Sequence, residues 1–135
     1  MQLPKPNLNL STLRIANEKR LPLFKNGEGK PAHANPDGSD WSVLEWAGAA
    51  AGEMGETANV AKKIRRGDFA SDPEMGDACL ADEIADTVIY LDLLAKQRGI
   101  DLSKAIIEKF NDKSKELGIP VFITEDGQRA LHGHE

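Results

Sequence analysis

The sequence predicts an all-α protein, a bundle of four to five helices carrying a carboxylate-lined metal site, and three observations predict it. Aromatic residues fill only 5% of 135 positions while Ala, Leu, Ile, Glu and Lys are plentiful, a helical rather than β composition. Apolar residues recur at three- and four-residue intervals along 43–64 and again along 80–95. Two acidic pairs, Glu53 with Glu56 and Glu83 with Asp86, share an i,i+3 spacing that places each pair on neighbouring turns of one helix face. Two such faces brought together gather four carboxylates, which repel strongly without a cation, and an all-oxygen site suits Mg²⁺, with Mn²⁺ as a substitute. The competing expectation is that both pairs lie on solvated faces, the usual fate of Glu and Asp.

Length bounds the chain to a single domain, 1–135, able to bury a core without metal or disulfide staples. Cys79 has no cysteine to pair with, which suits a reducing compartment, and the N-terminus lacks the apolar run of a signal peptide. No stretch approaches the roughly 18 apolar residues of a membrane span. The expectation is therefore a cytoplasmic protein without membrane association. A net charge of −5 argues against duplex nucleic acid as a partner, because such binders carry a basic surface.

Residues 1–8, with Pro4 and Pro6, read as an extended arm. A first helix is expected over 9–20, with Asn9 or Ser11 as cap and Pro22 ending it. The 22–40 stretch is rich in Gly, Pro, Asn and Asp and reads as a long loop, its His33 solvated. Ser42 and Glu45 have the capping-box spacing, so a second helix should start near Trp41 and run to Arg66. Its expected core stripe is Val43, Trp46, Ala47, Ala50, Met54, Ala58, Ala61 and Ile64, with Glu53 at the stripe's edge. Lys62, Lys63, Arg65 and Arg66 suit that helix's C-terminal dipole.

After a connection over 67–76, a third helix is expected over 78–98. Leu80, Ile84, Val88, Leu91 and Ala95 form one stripe, and Ile89, Leu93 and Leu94 cover much of the rest, so this helix is central or forms a subunit interface. Glu83, Asp86 and Tyr90 are its polar strip, and polar groups on such a helix need partners. Gly99 closes it, Asp101 caps a fourth helix, and Gly118 and Pro120 stop that one. The tail, 119–135, has one short apolar run, Val121, Phe122 and Ile123, and then polar residues; His132 and His134 could bind a stray metal, but a frayed terminus is the expectation for them.

Acids from two helices, near a basic helix end and tryptophans, make a coherent site for a nucleotide polyphosphate. Divalent cations there would draw charge off the phosphates and lower the pKa of a bound water. The chain has no GxxxxGK[ST] loop, which excludes a P-loop NTPase, and no ExxH, which excludes the di-iron bundle pattern. The run WSVLEWAGAAAGEMGETANVAKKIRRGD from Trp41, with LADEIADTVIYLDLLAKQRGIDLSKAIIEKFNDKS from Leu80, resembles the MazG-like all-α nucleoside triphosphate pyrophosphohydrolases over about 41–117. Their signature is ExxE, a spacer, then ExxD, and Glu53, Glu56, Glu83 and Asp86 fit it in type and order.

The resemblance implies Mg²⁺-dependent hydrolysis of a (d)NTP to the monophosphate and pyrophosphate, as nucleotide-pool housekeeping, by a homodimer or a homotetramer built as a dimer of dimers. It implies that the four acids bind the metal and that Tyr90 and Lys63 reach the phosphates, with Lys109 and Lys113 as further candidates on the last helix. Some members carry an additional Glu before the first pair; Gly52 stands there in this chain, which leaves Glu53 and Glu56 as candidates to orient the water. Trp46 lies two turns before Glu53, roughly 10 Å along the axis, which is the order of the distance between a nucleotide's base and its phosphates. Trp41, Trp46 and the 22–40 loop are thus expected at the base end, with Asn17 or Arg20 supplying hydrogen bonds; the alternative for Trp46 is core packing. The alternative function is a non-catalytic, metal-dependent nucleotide-binding or regulatory bundle.

Overall fold

The computed structural model describes residues 5–133 and divides into two compact units, one ending at Arg98 and one starting at Gly99. The first holds α1 (Leu10–Arg20), a 3₁₀ turn (Leu21–Leu23), α2 (Val43–Arg65) and α3 (Pro73–Gln97). The second holds α4 (Leu102–Leu117) and the strands β1 (Val121–Ile123) and β2 (Ala130–His132). The protein is thus mostly helical, with a small sheet that the composition did not predict. Among the described residues no helix is long and apolar enough to cross a membrane.

Capping chemistry sets most helix ends. Asn9 Oδ1 accepts from the Thr12 amide at 2.8 Å to start α1, and Pro22, which has no N–H, follows its end in the 3₁₀ turn. Both halves of the capping box form at α2: Ser42 Oγ accepts from the Glu45 amide at 3.2 Å, and Glu45 Oε2 accepts from the Ser42 amide at 2.6 Å. Helix α3 begins at Pro73 rather than near Ala78, because Asp72 caps it and proline at the first helical position sacrifices no hydrogen bond. The Asp-Pro pair, expected to be connection, is a helix start. Gly76 is buried in that first turn, where a Cβ would come within 3.0 Å of the Phe69 ring carbon Cγ.

The 66–72 connection is too short to return along a helix the length of α2, so α2 and α3 pack antiparallel. They do so on a face that shares Trp46 and Ala50 with the expected stripe but is rotated away from its other members. The buried residues of α2 are Trp46, Ala50 and Thr57, with Glu53 and Val60 half-buried on the same 3/4-spaced line. Of the expected stripe, Val43 and Met54 are 41% and 54% exposed. The same rotation holds in α3, where Thr87, Asp92, Leu93 and Ala95 are buried while Ile84, Val88 and Leu91 face outward. The sequence offers two stripes of equal period on each helix. The helices meet through the one with small and hydroxylated residues, and Glu53 is part of the packed face, not its edge.

Asp92, fully buried on α3, fixes α1: it accepts from Arg14 Nε at 3.0 Å and from Asn17 Nδ2 at 2.9 Å. The 22–40 loop is ordered as two successive tight turns. Asn26 Oδ1 accepts from the amides of Glu28 and Lys30, and Asp37 Oδ1 accepts from Ser39, with isolated bridges at Lys25–Pro31 and Ala34–Asp40. His33, between the turns, is not the solvated histidine the sequence suggested. Its ring lies 4.8 Å from Phe24, 5.2 Å from Trp41 and 5.8 Å from Tyr90, because the turns fold the chain back onto α3.

In the second unit Asp101 caps α4, and Gly118, at φ 66°, ends it in the left-handed conformation. The tail forms a hairpin, with Phe122 opposite Leu131, and its second strand reaches His132, which was expected to fray. Asp126-Gly127, with Gly127 at φ 71°, turns the chain between the strands, a signal masked by the weakly apolar second strand. Asn111 of α4 acts as a further strand partner for Ile123, donating to its carbonyl and accepting from its amide, both at 2.8 Å. His132 is in β2; His134 lies outside the described residues, as does the start of the expected N-terminal arm.

Candidate metal centre

The α2–α3 contact brings carboxylates from both helices together. One oxygen each of Glu53, Glu56 and Glu83 lie within 4.8 Å of one another. Octahedral coordination at about 2.0–2.1 Å places ligand oxygens roughly 3.0–4.2 Å apart, so small side-chain rotations would close these three onto one divalent cation. Glu83 Oε2 is shut off from solvent and has no hydrogen-bond partner. A buried oxygen left unpaired costs free energy, and a cation would satisfy it.

The electrostatics agree. The Glu53 carboxyl is held above the usual glutamate range, first by partial desolvation and then by the charges of Glu56 and Asp86. Glu83 is raised too, by desolvation, by its contact with Glu56 and by the charges of Glu56 and Asp86. Glu56 thus acts on both of the other two. Asp86 is exposed and not among the three converging oxygens, although its charge reaches both Glu53 and Glu83. The residues present fit an oxygen-ligated divalent cation, with Glu53, Glu56 and Glu83 as ligands and Asp86 beside them.

Tyr90, which the charges of Glu53 and Asp86 reach, also lines a small open cleft. Burial, then the charges of Glu53 and Asp86, raise its pKa against the opposing charge of Arg20, so the phenol remains a hydrogen-bond donor at neutral pH. Its hydroxyl lies 2.9 Å from His33 Nε2. Partial burial lowers the His33 pKa and favours the neutral ring. Asn17, Arg20, Phe24, His33, Ile89 and Tyr90 line the cleft. Asn17 donates to Asp92 and to the Ile89 carbonyl, which fixes its amide as part of the framework.

Trp46 and Trp41 are not among the cleft residues. Trp46 is 1% exposed, and its Nε1 donates to Asp40 Oδ1 at 3.0 Å; Trp41 packs on it with ring centres 4.8 Å apart. The expectation of a base-stacking Trp46 gives way to core packing, since its place on the buried line of α2 leaves no ring face open. Replacing it with Leu should therefore destabilise the protein by about 2–4 kcal/mol, a little below the usual cost of truncating a buried Trp to Ala. Thermal denaturation checks this, and a melting temperature within a degree or two of wild type would return the indole to the ligand.

Lys63 is half-buried near the C-terminal end of α2, roughly 10 Å along the axis from Glu56 at 1.5 Å per residue. Its charge reaches Asp68, which Arg66 binds at 2.7 Å. Lys109 and Lys113 are exposed on α4 of the second unit, and Lys113 pairs with Glu116 at 3.1 Å. The reading from sequence missed His33, Asp92, Thr57 and Thr87. For the two threonines there was a signal, because each stands immediately after an acidic pair, as EMGET and EIADT. Compared with protein-family models, curated proteins and solved structures, the chain shows no match in any of the three.

Proposed function

We propose that the protein is a Mg²⁺-dependent nucleoside triphosphate pyrophosphohydrolase of the MazG-like type, converting a (d)NTP to the monophosphate and pyrophosphate in the cytoplasmic nucleotide pool. The observation that carries this reading is the group of three converging carboxylates, with the charge of Glu53 reaching Tyr90 in a cleft that also holds a cationic residue, Arg20. A bound cation would supply charge neutralisation at the phosphates and an acidified water. The chain's own residues do the rest. Glu53, Glu56 and Glu83 hold the cation, the Tyr90 phenol and Arg20 guanidinium bind phosphate oxygens, and Phe24 and His33 offer ring faces to the base. With Gly52 before the first pair, Glu53 or Glu56 orients the attacking water. A panel of nucleotides incubated with Mg²⁺ should yield monophosphate and pyrophosphate, and a chelator should stop the reaction. Diphosphate and orthophosphate as products, or no products at all, would contradict the assignment.

The raised carboxyl pKa values give this site a pH signature. As pH falls through the elevated pKa values of Glu53 and Glu83, protons displace the cation and affinity falls. Without cation the sign of the stability change is opposite: the folded state holds these protons more tightly than the unfolded chain, so lowering pH through the same window stabilises the protein. Melting temperatures across that window, with and without Mg²⁺, should converge toward the acid side. Parallel curves would show that these carboxyls do not bind the ion.

Assembly as a homodimer or dimer of dimers belongs to the same proposal. Its support is the exposed apolar side chains, Val43 and Met54 on α2 and Ile84, Val88 and Leu91 on α3. Ile89 and Leu93, which the sequence suggested for that role, face inward. Light scattering should give a multiple of 14.7 kDa, and a mass of one chain at micromolar concentration would rule this out.

A further inference from the structure

The acidic pairs are followed in both helices by a threonine, and the structure gives that repetition a physical meaning. Thr57 and Thr87 are buried where α2 crosses α3, their hydroxyl oxygens 3.1 Å apart. Thr57 Oγ1 lies 3.1 Å from the Glu53 carbonyl, and Thr87 Oγ1 donates to the Glu83 carbonyl at 2.8 Å. Each hydroxyl thus sits one turn after a glutamate of the converging group and touches that glutamate's own backbone. EMGET and EIADT, on antiparallel helices, thus meet through their corresponding threonines.

A helix-interior threonine often bonds the carbonyl four residues back, and one alone would be an ordinary satisfied core residue. Here both carbonyls belong to residues of the carboxylate group, and both hydroxyls meet. Two hydroxyl protons serve three contacts: when Thr87 donates to Glu83, Thr57 can donate to Thr87 or to Glu53. The pair is therefore a hydrogen-bonded bridge between the two ligand-bearing turns, and it sets how closely those turns approach. Two methyl groups in place of the hydroxyls would need about 3.5–4.0 Å between them, more than the oxygen separation seen. Sites of this kind tolerate displacements of only about 0.5 Å.

We propose that Thr57 and Thr87 are positioning residues for the carboxylate centre, fixing the α2–α3 spacing at which Glu53, Glu56 and Glu83 converge on one cation. The inference rests on the reading of that centre as a cation site. It does not make the threonines ligands. Thr→Val is close in shape and removes both partners of the hydroxyl contact, which offsets the crowding of the methyls, so the double variant T57V/T87V should stay folded and melt within a few degrees of wild type. Its affinity should nevertheless fall by about 10- to 100-fold, the usual cost of losing groups that orient a ligand shell.

The experiment is calorimetric titration of Mn²⁺ into wild type, T57V/T87V and T57S/T87S, with melting curves recorded for each. The expected result is tight binding by wild type, weakened binding by the valine pair at little-changed stability, and recovery by the serine pair, which restores both hydroxyls. Wild-type affinity in a folded T57V/T87V would overturn the assignment while leaving the cation site standing. No binding by wild type would instead overturn the cation site, and the assignment with it. If the double variant loses its helical circular dichroism, the single variant T87V decides: weakened Mn²⁺ binding supports the bridge, and unchanged binding refutes it.

Discussion

Replacing Glu53 with Gln is expected to lower Mg²⁺-dependent turnover by more than about 100-fold. Loss of an outer-shell partner at a metal site costs about 10–100-fold, and a direct ligand must cost more. Gln preserves the shape of the side chain and its place on the packed face of α2, but removes the charge that a cation requires. Without Mg²⁺ the same substitution should leave the melting temperature unchanged or raise it, because it takes one charge from a group whose members already push one another's pKa values up. Activity falling while apo stability holds is the diagnostic combination. Asp86→Asn should cost less than Glu53→Gln, since Asp86 is exposed and outside the three converging oxygens. Steady-state rates of the two variants beside wild type measure both effects, and more than a few per cent residual activity in Glu53→Gln would remove it from the centre.

The largest effect on stability is expected at Asp92. It is fully buried and accepts from a guanidinium at 3.0 Å and an amide at 2.9 Å, both from α1. Breaking a buried ion pair by truncating one partner costs about 3–5 kcal/mol, well above the cavity cost of so small a side chain. Asp92→Ala should lower the melting temperature by roughly 10–20 °C for a protein of this size. The same change loosens Asn17, which lines the cleft, so affinity for a nucleotide should weaken as α1 loses its register on α3. A drop of only a degree or two would mean that α1 is held by apolar contacts alone.

These two residues show unequally well in the sequence. Glu53 was legible because the acidic spacing repeats, and a repeated i,i+3 pair has few uses. Asp92 was not, because one acid in an apolar helix gives no sign of which distant side chain will meet it; Arg14 and Asn17 are brought to it only by tertiary folding. The helix caps at Asn9, Ser42 and Asp101 formed as read, since capping is local chemistry. The choice between two equally periodic stripes on α2 was not local. Counting apolar residues centres the stripe toward Val43 and Met54, whereas the packed face turns past Ala50 to Glu53 and Thr57, polar residues that such a count leaves out. His33 was misplaced for the same reason, because a polar loop can be folded back by its own turns onto an aromatic surface that its composition does not reveal.

The claim on which the rest depends is that Glu53, Glu56 and Glu83 together bind a divalent cation. Electron paramagnetic resonance of Mn²⁺ titrated with the protein tests it without relying on any substrate. The free-ion signal should be quenched by wild type, return on addition of excess Mg²⁺, and persist when Glu53→Gln protein is used instead. A free-ion signal that wild-type protein leaves undiminished, at concentrations where its helices are folded, would contradict it.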